Sequence, residues 1–313
     1  MIKTILCTGD SHTWGQGAAG LMESFSPPAQ AGELRQSDFS YKSYVNELRR
    51  MVNAHTSSEA GDWNPYMIVE ASPVLLEKTA GLFRLQFACR EEKSTVTVTA
   101  DTGERQTLDL TDSQPNAYRF LNFFFEDERP HRLVISSETE NARFCRAEWH
   151  RGSMAVLNCG IGSCPVSRYM ETYWADYVEA LCPAVIVMEA HTINDWLLNE
   201  GPQIYEQRLE QMITRAKMLC SRVLLLTVSP ILGAQTVPGS DVPYESYIEA
   251  SRLAARNSGT VLCDANALMK EQLKDLTEQE ATCLFADPWH VNDRGHRIYA
   301  DATFASLLKE KYI

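Results

Sequence analysis

Five short apolar runs constrain the fold of this chain more than any other feature. They are Ile2–Cys7, Ala155–Cys159, Val185–Met188, Val223–Val228 and Val261–Cys263. Each is β-branched or Leu-rich and nearly free of polar interruption. A strand reads this way when both of its faces are buried, as in a parallel sheet covered on each side. Helical stripes lie between the runs. Tyr41, Tyr44, Val45, Leu48 and Val52 share one helix face, with Asp38 as its N-cap. Tyr169, Tyr173, Tyr177, Val178 and Leu181 form a second stripe, expected to be core, and Leu209, Met212, Ile213, Ala216 and Leu219 a third. A last helix follows Asn292 and carries Ile298, Ala302, Ala305 and Leu308. Strands alternating with helices imply an α/β fold with a parallel sheet and helices on both faces.

The stretch from about Tyr66 to Arg151 has another texture. Residues 82–87, 95–99, 119–125, 132–136 and 143–149 read as strands, several of them alternating, with turn residues such as Asp101-Thr102-Gly103 between them. Many short strands without helices suggest an antiparallel β-sandwich. The α/β pattern resumes afterwards, so residues 66–151 are expected to be a domain inserted into a discontinuous one, 1–65 and 152–313. A chain of 313 residues has room for both. The insert's two connections join segments that carry motifs described below, so it is expected to influence which substrate is used.

Composition narrows the function classes. Hydrophobic residues make up 44% and charged residues 22%, ordinary values for a globular chain. They exclude a disordered tract, a collagen-like repeat and a coiled-coil rod. Forty-one acidic residues against 29 basic ones give a net charge of −12. Such a chain repels phosphate backbones, and Arg49-Arg50 is its densest basic run, so no nucleic-acid partner is expected. No run approaches the ~20 apolar residues of a membrane span, and the opening apolar run is too short for a secretory signal. The nine cysteines include no CxxC pair. Several, such as Cys7, Cys159 and Cys263, sit in the strand-like runs and read as reduced core residues, with no metal site. A cytoplasmic location is the corresponding expectation.

Four motifs carry chemistry. Gly9-Asp10-Ser11-His12-Thr13-Trp14-Gly15 follows the first strand, where an open α/β sheet binds ligands. A serine there can act as a nucleophile, with helix N-terminal amides beside it for an oxyanion; an ordinary turn uses the same residue types. Asp287-Pro288-Trp289-His290 puts a carboxylate three residues ahead of a histidine, which can orient the imidazole as a base, or simply cap a helix. His191-Thr192-Ile193-Asn194-Asp195 follows the strand at Val185–Met188 and offers an amide donor, or a cap. Asn158-Cys159-Gly160-Ile161-Gly162-Ser163 brings flexible backbone close to a ligand, or only turns the chain.

In this order the four blocks resemble those of the SGNH hydrolases, the GDSL esterase/lipase superfamily. The resemblance covers the α/β part and not the middle. It implies a three-layer, flavodoxin-like hydrolase domain with a parallel sheet, and a serine carboxylic-ester hydrolase that works through an acyl-enzyme. Ser11 is then the nucleophile, His290 the general base and Asp287 its orienter. The oxyanion donors are the Ser11 amide, an amide at Gly162 or Ser163, and the Asn194 side chain. No cofactor and no metal are required. Two departures stand out: Ser163 occupies the place of the family's donor glycine, and Thr192 that of the glycine before Asn194. His191 is read as a surface histidine without a role, with a substrate contact as the other reading, and His296 as structural. Trp14 and Trp289 are read as packing residues, with an aromatic wall for a sugar or acyl group as the other reading.

The expected partner is a small-molecule or carbohydrate ester, first an O-acetylated sugar; a lipid or thioester acyl group is the alternative. No membrane partner is expected, and self-association stays open. A third reading is a carbohydrate-binding or scaffold protein without catalysis, against which the intact set Ser11, Asn194, Asp287 and His290 argues.

Overall fold

The computed structural model describes residues 2–18, 42–70, 72–112, 118–139, 141–233, 235–237 and 240–313. The proposed N-cap Asp38 and the first stripe residue Tyr41 lie outside them. All five apolar runs are strands: β1 (Lys3–Gly9), and further along β11 (Met154–Gly160), β12 (Val185–Glu189), β13 (Val223–Leu226) and β14 (Val261–Cys263). They form one sheet in the order β11-β1-β12-β13-β14. Strands β1, β12, β13 and β14 are joined in parallel. Every residue of β11, β12 and β13 is buried, as expected for strands covered on both faces.

Helices follow the strands: α1 (Ser11–Trp14), α2 (Tyr44–Thr56), α3 (Val166–Arg168), α4 (Trp174–Tyr177), α5 (Thr192–Leu198), α6 (Pro202–Leu219), α7 (Tyr244–Asn257), α8 (Ala265–Leu273), α9 (Glu278–Ala281) and α10 (Asp293–Lys309). The tyrosine stripe is core, with Tyr169, Tyr173 and Tyr177 buried, although a π-turn at Tyr169–Tyr173 breaks its helix. In α6 the stripe holds through Ala216, while Leu219 at the frayed end is exposed. The α10 stripe is on the wrong face. Ala305 and Leu308 are exposed, and the helix buries His296, Tyr299, Ala300, Thr303 and Leu307. The buried face contains polar groups that find partners, His296 among them, so apolar spacing alone does not reveal it. The N-cap of α10 is Asn292, whose side chain accepts from the Arg294 and Gly295 amides.

The strands of the middle of the chain pair antiparallel. One sheet runs β2-β10-β5-β8, from β2 (Glu59–Trp63), β5 (Leu82–Ala88), β8 (Tyr118–Phe124) and β10 (Ala142–Arg151), with β3 (Met67–Val69) also on β10. The other runs β4-β9-β6-β7, from β4 (Val74–Thr79), β6 (Thr95–Ala100), β7 (Arg105–Asp109) and β9 (Pro130–Ser136). Phe83, Leu85 and Phe123 of the first sheet and Val96, Val98, Leu133 and Ile135 of the second belong to one buried apolar cluster. Strand β2 lies ahead of residue 66, where the sequence changes texture. The described residues of 2–3 and 53–155 gather into one compact unit, and those of 4–52 and 156–313 into a second. No helix among the described residues is long and apolar enough to cross a membrane. Cys7, Cys159 and Cys263 are buried, and no disulfide is formed among the described residues.

Candidate active site

The site is built where β1, β11 and β12 end. Strand β1 gives way directly to the single turn of α1, which Asp10 caps by accepting from the His12 amide, 3.0 Å. Ser11 is thereby the first helical residue, and its amide is one that a helix leaves without an internal partner. Gly160, at the end of β11, lies against this turn. A Cβ there would sit 2.3 Å from the Trp14 nitrogen, so only glycine permits the approach. Asn158 fastens the same contact by donating to the Thr13 carbonyl, 2.8 Å.

Ser11 is 4% exposed, and its Oγ lies 2.9 Å from Nε2 of His290. Nδ1 of His290 is 2.7 Å from Oδ2 of Asp287. The other carboxylate oxygen of Asp287 accepts the Trp289 and His290 amides, both at 2.8 Å. The four-residue spacing therefore folds as a self-closed turn in which one carboxylate holds its own loop and the imidazole together. Burial would push the Asp287 carboxyl up; the His290 hydrogen bond and charge, with the two amides, outweigh it and bring it down to about 2. Asp287 is thus ionised at any ordinary pH, and an ionised Oδ2 fixes the proton of His290 on Nδ1, leaving Nε2 to accept from Ser11.

Asn194 is not in a loop but in the first turn of α5. Its Nδ2 donates to Oδ2 of Asp10, 2.7 Å, leaving the second amide hydrogen without an acceptor among the described residues. In the turn before α5 the positive backbone angle is at His191, φ 55°. His191 is not a surface residue. It is fully buried, donates its amide to Oε1 of Glu189 and places Nδ1 2.7 Å from the Cys164 carbonyl. Burial lowers its affinity for a second proton. Ser163 has φ 54°, the left-handed conformation that a glycine would adopt at no cost, so the backbone turn is kept without the glycine.

Three further residues belong to the site. Asp10 faces His12 through Oδ1, with Nδ1 of His12 at 3.2 Å, and Asn194 through Oδ2. Burial would raise its carboxyl, but the hydrogen bonds and charge of His12, aided by His191, hold it well below the usual range. The other ring nitrogen of His12 lies 3.0 Å from the Trp289 carbonyl oxygen. Glu189 ends β12, fully buried, and accepts the Asp10 amide at 2.7 Å. Burial, then the neighbouring charge of Asp10, pushes its carboxyl well up. Glu189 was detectable as the one ionisable residue closing an apolar strand, and His12 as the residue directly after the serine. His296 is structural: the Tyr44 amide donates to its Nδ1 and its Nε2 donates to the Gln16 carbonyl, 3.0 Å, while burial brings it down to about 3. Trp14 is buried, as expected of a packing residue, whereas Trp289 is 39% exposed. Among the described residues no three His, Cys, Asp or Glu side chains gather as metal ligands.

No family model matches the sequence, and no curated protein is similar to it. Solved structures are. The chain is similar to a peptidoglycan O-acetylesterase, with 13% identity and a TM-score of 0.55 over 99% of this chain and 91% of that one. It is similar to an acetylxylan esterase from Geobacillus stearothermophilus, with 16% identity and a TM-score of 0.50 over 97% and 94%. An α/β hydrolase enzyme from the metagenome of Lake Arreo, Spain, has 14% identity and a TM-score of 0.50 over 97% and 94%. At these identities the likeness is one of fold.

Proposed function

We propose that this chain is a serine esterase of the SGNH type that removes an O-acetyl group from a carbohydrate. One observation carries the reading: Ser11 Oγ, His290 and Asp287 stand in hydrogen-bonded sequence at 2.9 and 2.7 Å. Ser11 Oγ attacks the ester carbonyl carbon while its proton passes to His290 Nε2. The oxygen of the tetrahedral intermediate is met by the Ser11 amide, by the Gly162 or Ser163 amide and by the free hydrogen of Asn194. Collapse breaks the C–O bond, and His290 returns the proton to the departing sugar hydroxyl. A water, deprotonated by His290, then hydrolyses the acyl-enzyme. No cofactor takes part in these steps. The structural neighbours named for O-acetyl esters of peptidoglycan and xylan support the acetyl and carbohydrate parts of this reading. We read the two antiparallel sheets as a β-sandwich domain inserted into the hydrolase chain, on the strength of their shared apolar cluster.

The test is a panel of p-nitrophenyl esters of increasing acyl length and of acetylated xylan and peptidoglycan fragments, with Ser11→Ala as the blank. Acetyl esters should be preferred and the blank inactive. Preference for long acyl chains would move the substrate class to lipids, and turnover by Ser11→Ala would refute the nucleophile.

A further inference from the structure

The antiparallel unit has a groove of its own. Strands β2 and β4 are each outermost in their sheets. Two cavities adjoin beside them. One, of about 220 Å³, is lined by Glu59, Thr79, Trp149 and Arg151. The other, of about 420 Å³, is lined by Asp62, Trp63, Leu75, Glu77, Lys78 and Trp149. Trp149 lines both. Its indole is held firmly. It lies over Gly61, directly opposite on β2, where a Cβ would come within 2.6 Å of the ring. The Lys78 ammonium sits 4.9 Å from the ring centre. Beside it Trp63 is 38% and Leu75 61% exposed.

Exposed tryptophan and leucine beside a preformed depression mark a surface built to be covered. The polar groups around it identify the occupant. Two basic residues, Lys78 and Arg151, face three acidic ones, Glu59, Asp62 and Glu77, and Arg151 is already paired with Glu59. That balance does not suit a polyanion. It suits a neutral ligand with apolar faces for the indoles and hydroxyls for the carboxylates, which accept strong hydrogen bonds. A sugar ring has both. Two depressions that share one indole in their linings match consecutive rings of a chain better than a single ring.

We propose that this groove binds a neutral glycan chain through Trp63 and Trp149, using residues that take no part in ester hydrolysis. The experiment is titration calorimetry of the full chain with xylohexaose, cellohexaose and chitohexaose. Saturable binding of at least one is expected. Trp63→Ala should weaken it at least about tenfold, as for a buried aromatic anchor, and Glu77→Gln should weaken it less. Both should leave p-nitrophenyl acetate turnover unchanged. Trp149→Ala should abolish binding; because Trp149 also packs on Gly61, its melting temperature is measured alongside, and the two milder variants decide the matter if it unfolds. Three results would overturn the proposal: no binding of any oligosaccharide, binding untouched by Trp63→Ala and Glu77→Gln, or a concentration-dependent dimer lost in Trp63→Ala without glycan binding. Since p-nitrophenyl acetate turnover is followed separately, failure here is distinct from failure of the esterase reading.

Discussion

The Nε2 atom of His12 lies 3.0 Å from the carbonyl oxygen of Trp289, and this contact ties the turn that carries Ser11 to the loop that carries His290. The two imidazoles are neighbours, with ring centroids 5.3 Å apart. Through its other nitrogen His12 also holds Asp10, which in turn holds Asn194. One buried ring therefore braces both the proposed base and the proposed oxyanion donor.

His12→Ala should lower kcat about 10²-fold, on the order of what a 1 Å misplacement costs. KM for p-nitrophenyl acetate should change far less, because the ring does not meet the substrate in the proposed mechanism. Steady-state kinetics on a variant shown to be folded by its melting curve check this. An unaltered kcat would mean that the tie to Trp289 does not set the geometry.

Asn194→Ala should lower kcat by ~10²–10³, the usual cost of removing one oxyanion donor. Its hydrogen bond to Asp10 leaves one amide hydrogen for the substrate oxygen. An unchanged kcat would show that the amide serves Asp10 alone.

The parallel sheet was legible because strands buried on both faces leave apolar runs that nothing else in the chain imitates. The proposed catalytic groups were legible because Asp287 and His290 close their own turn locally, and because Ser11 follows a strand directly. The misses have physical causes. Strand β2 reads Glu-Ala-Gly-Asp-Trp, without β-branched residues, and β7 reads Arg-Gln-Thr-Leu-Asp, with Leu108 its one apolar residue; both are strands because their partners complete the ladder. The inward face of α10 is hidden by His296 and Thr303, polar residues that are buried. His191 was misjudged because its burial depends on the Cys164 carbonyl, 27 residues away in sequence.

Ser163→Gly should leave turnover within about twofold and stability within about 1 kcal/mol, since glycine removes left-handed strain but adds unfolded-state freedom. Ser163→Val should lower both, because a β-branched residue resists φ 54°. Thermal melts and kcat on the two variants test the claim, and a Val variant equal to wild type would contradict it.

Asp195, beside Asn194, gives a pH signature. Burial, only partly offset by the Val166 amide at 2.9 Å, raises its carboxyl from 3.8 to about 7. The folded chain keeps this proton across that interval while the unfolded chain loses it. Its contribution to stability is full below 3.8 and declines as pH rises toward 7, by up to ~1.4 kcal/mol per pH unit. Asp195→Asn mimics the protonated acid and removes that slope. Melting curves from about pH 4 to 7.5 should show the variant gaining on wild type as pH rises; parallel profiles would contradict the assignment.

The most direct test of the central claim is covalent labelling with a fluorophosphonate, read by mass spectrometry of the intact chain and its peptides. The account predicts a single adduct on the peptide that contains Ser11, absent from Ser11→Ala and formed far more slowly in His290→Ala. An adduct on another residue, or undiminished labelling of Ser11→Ala, would contradict it.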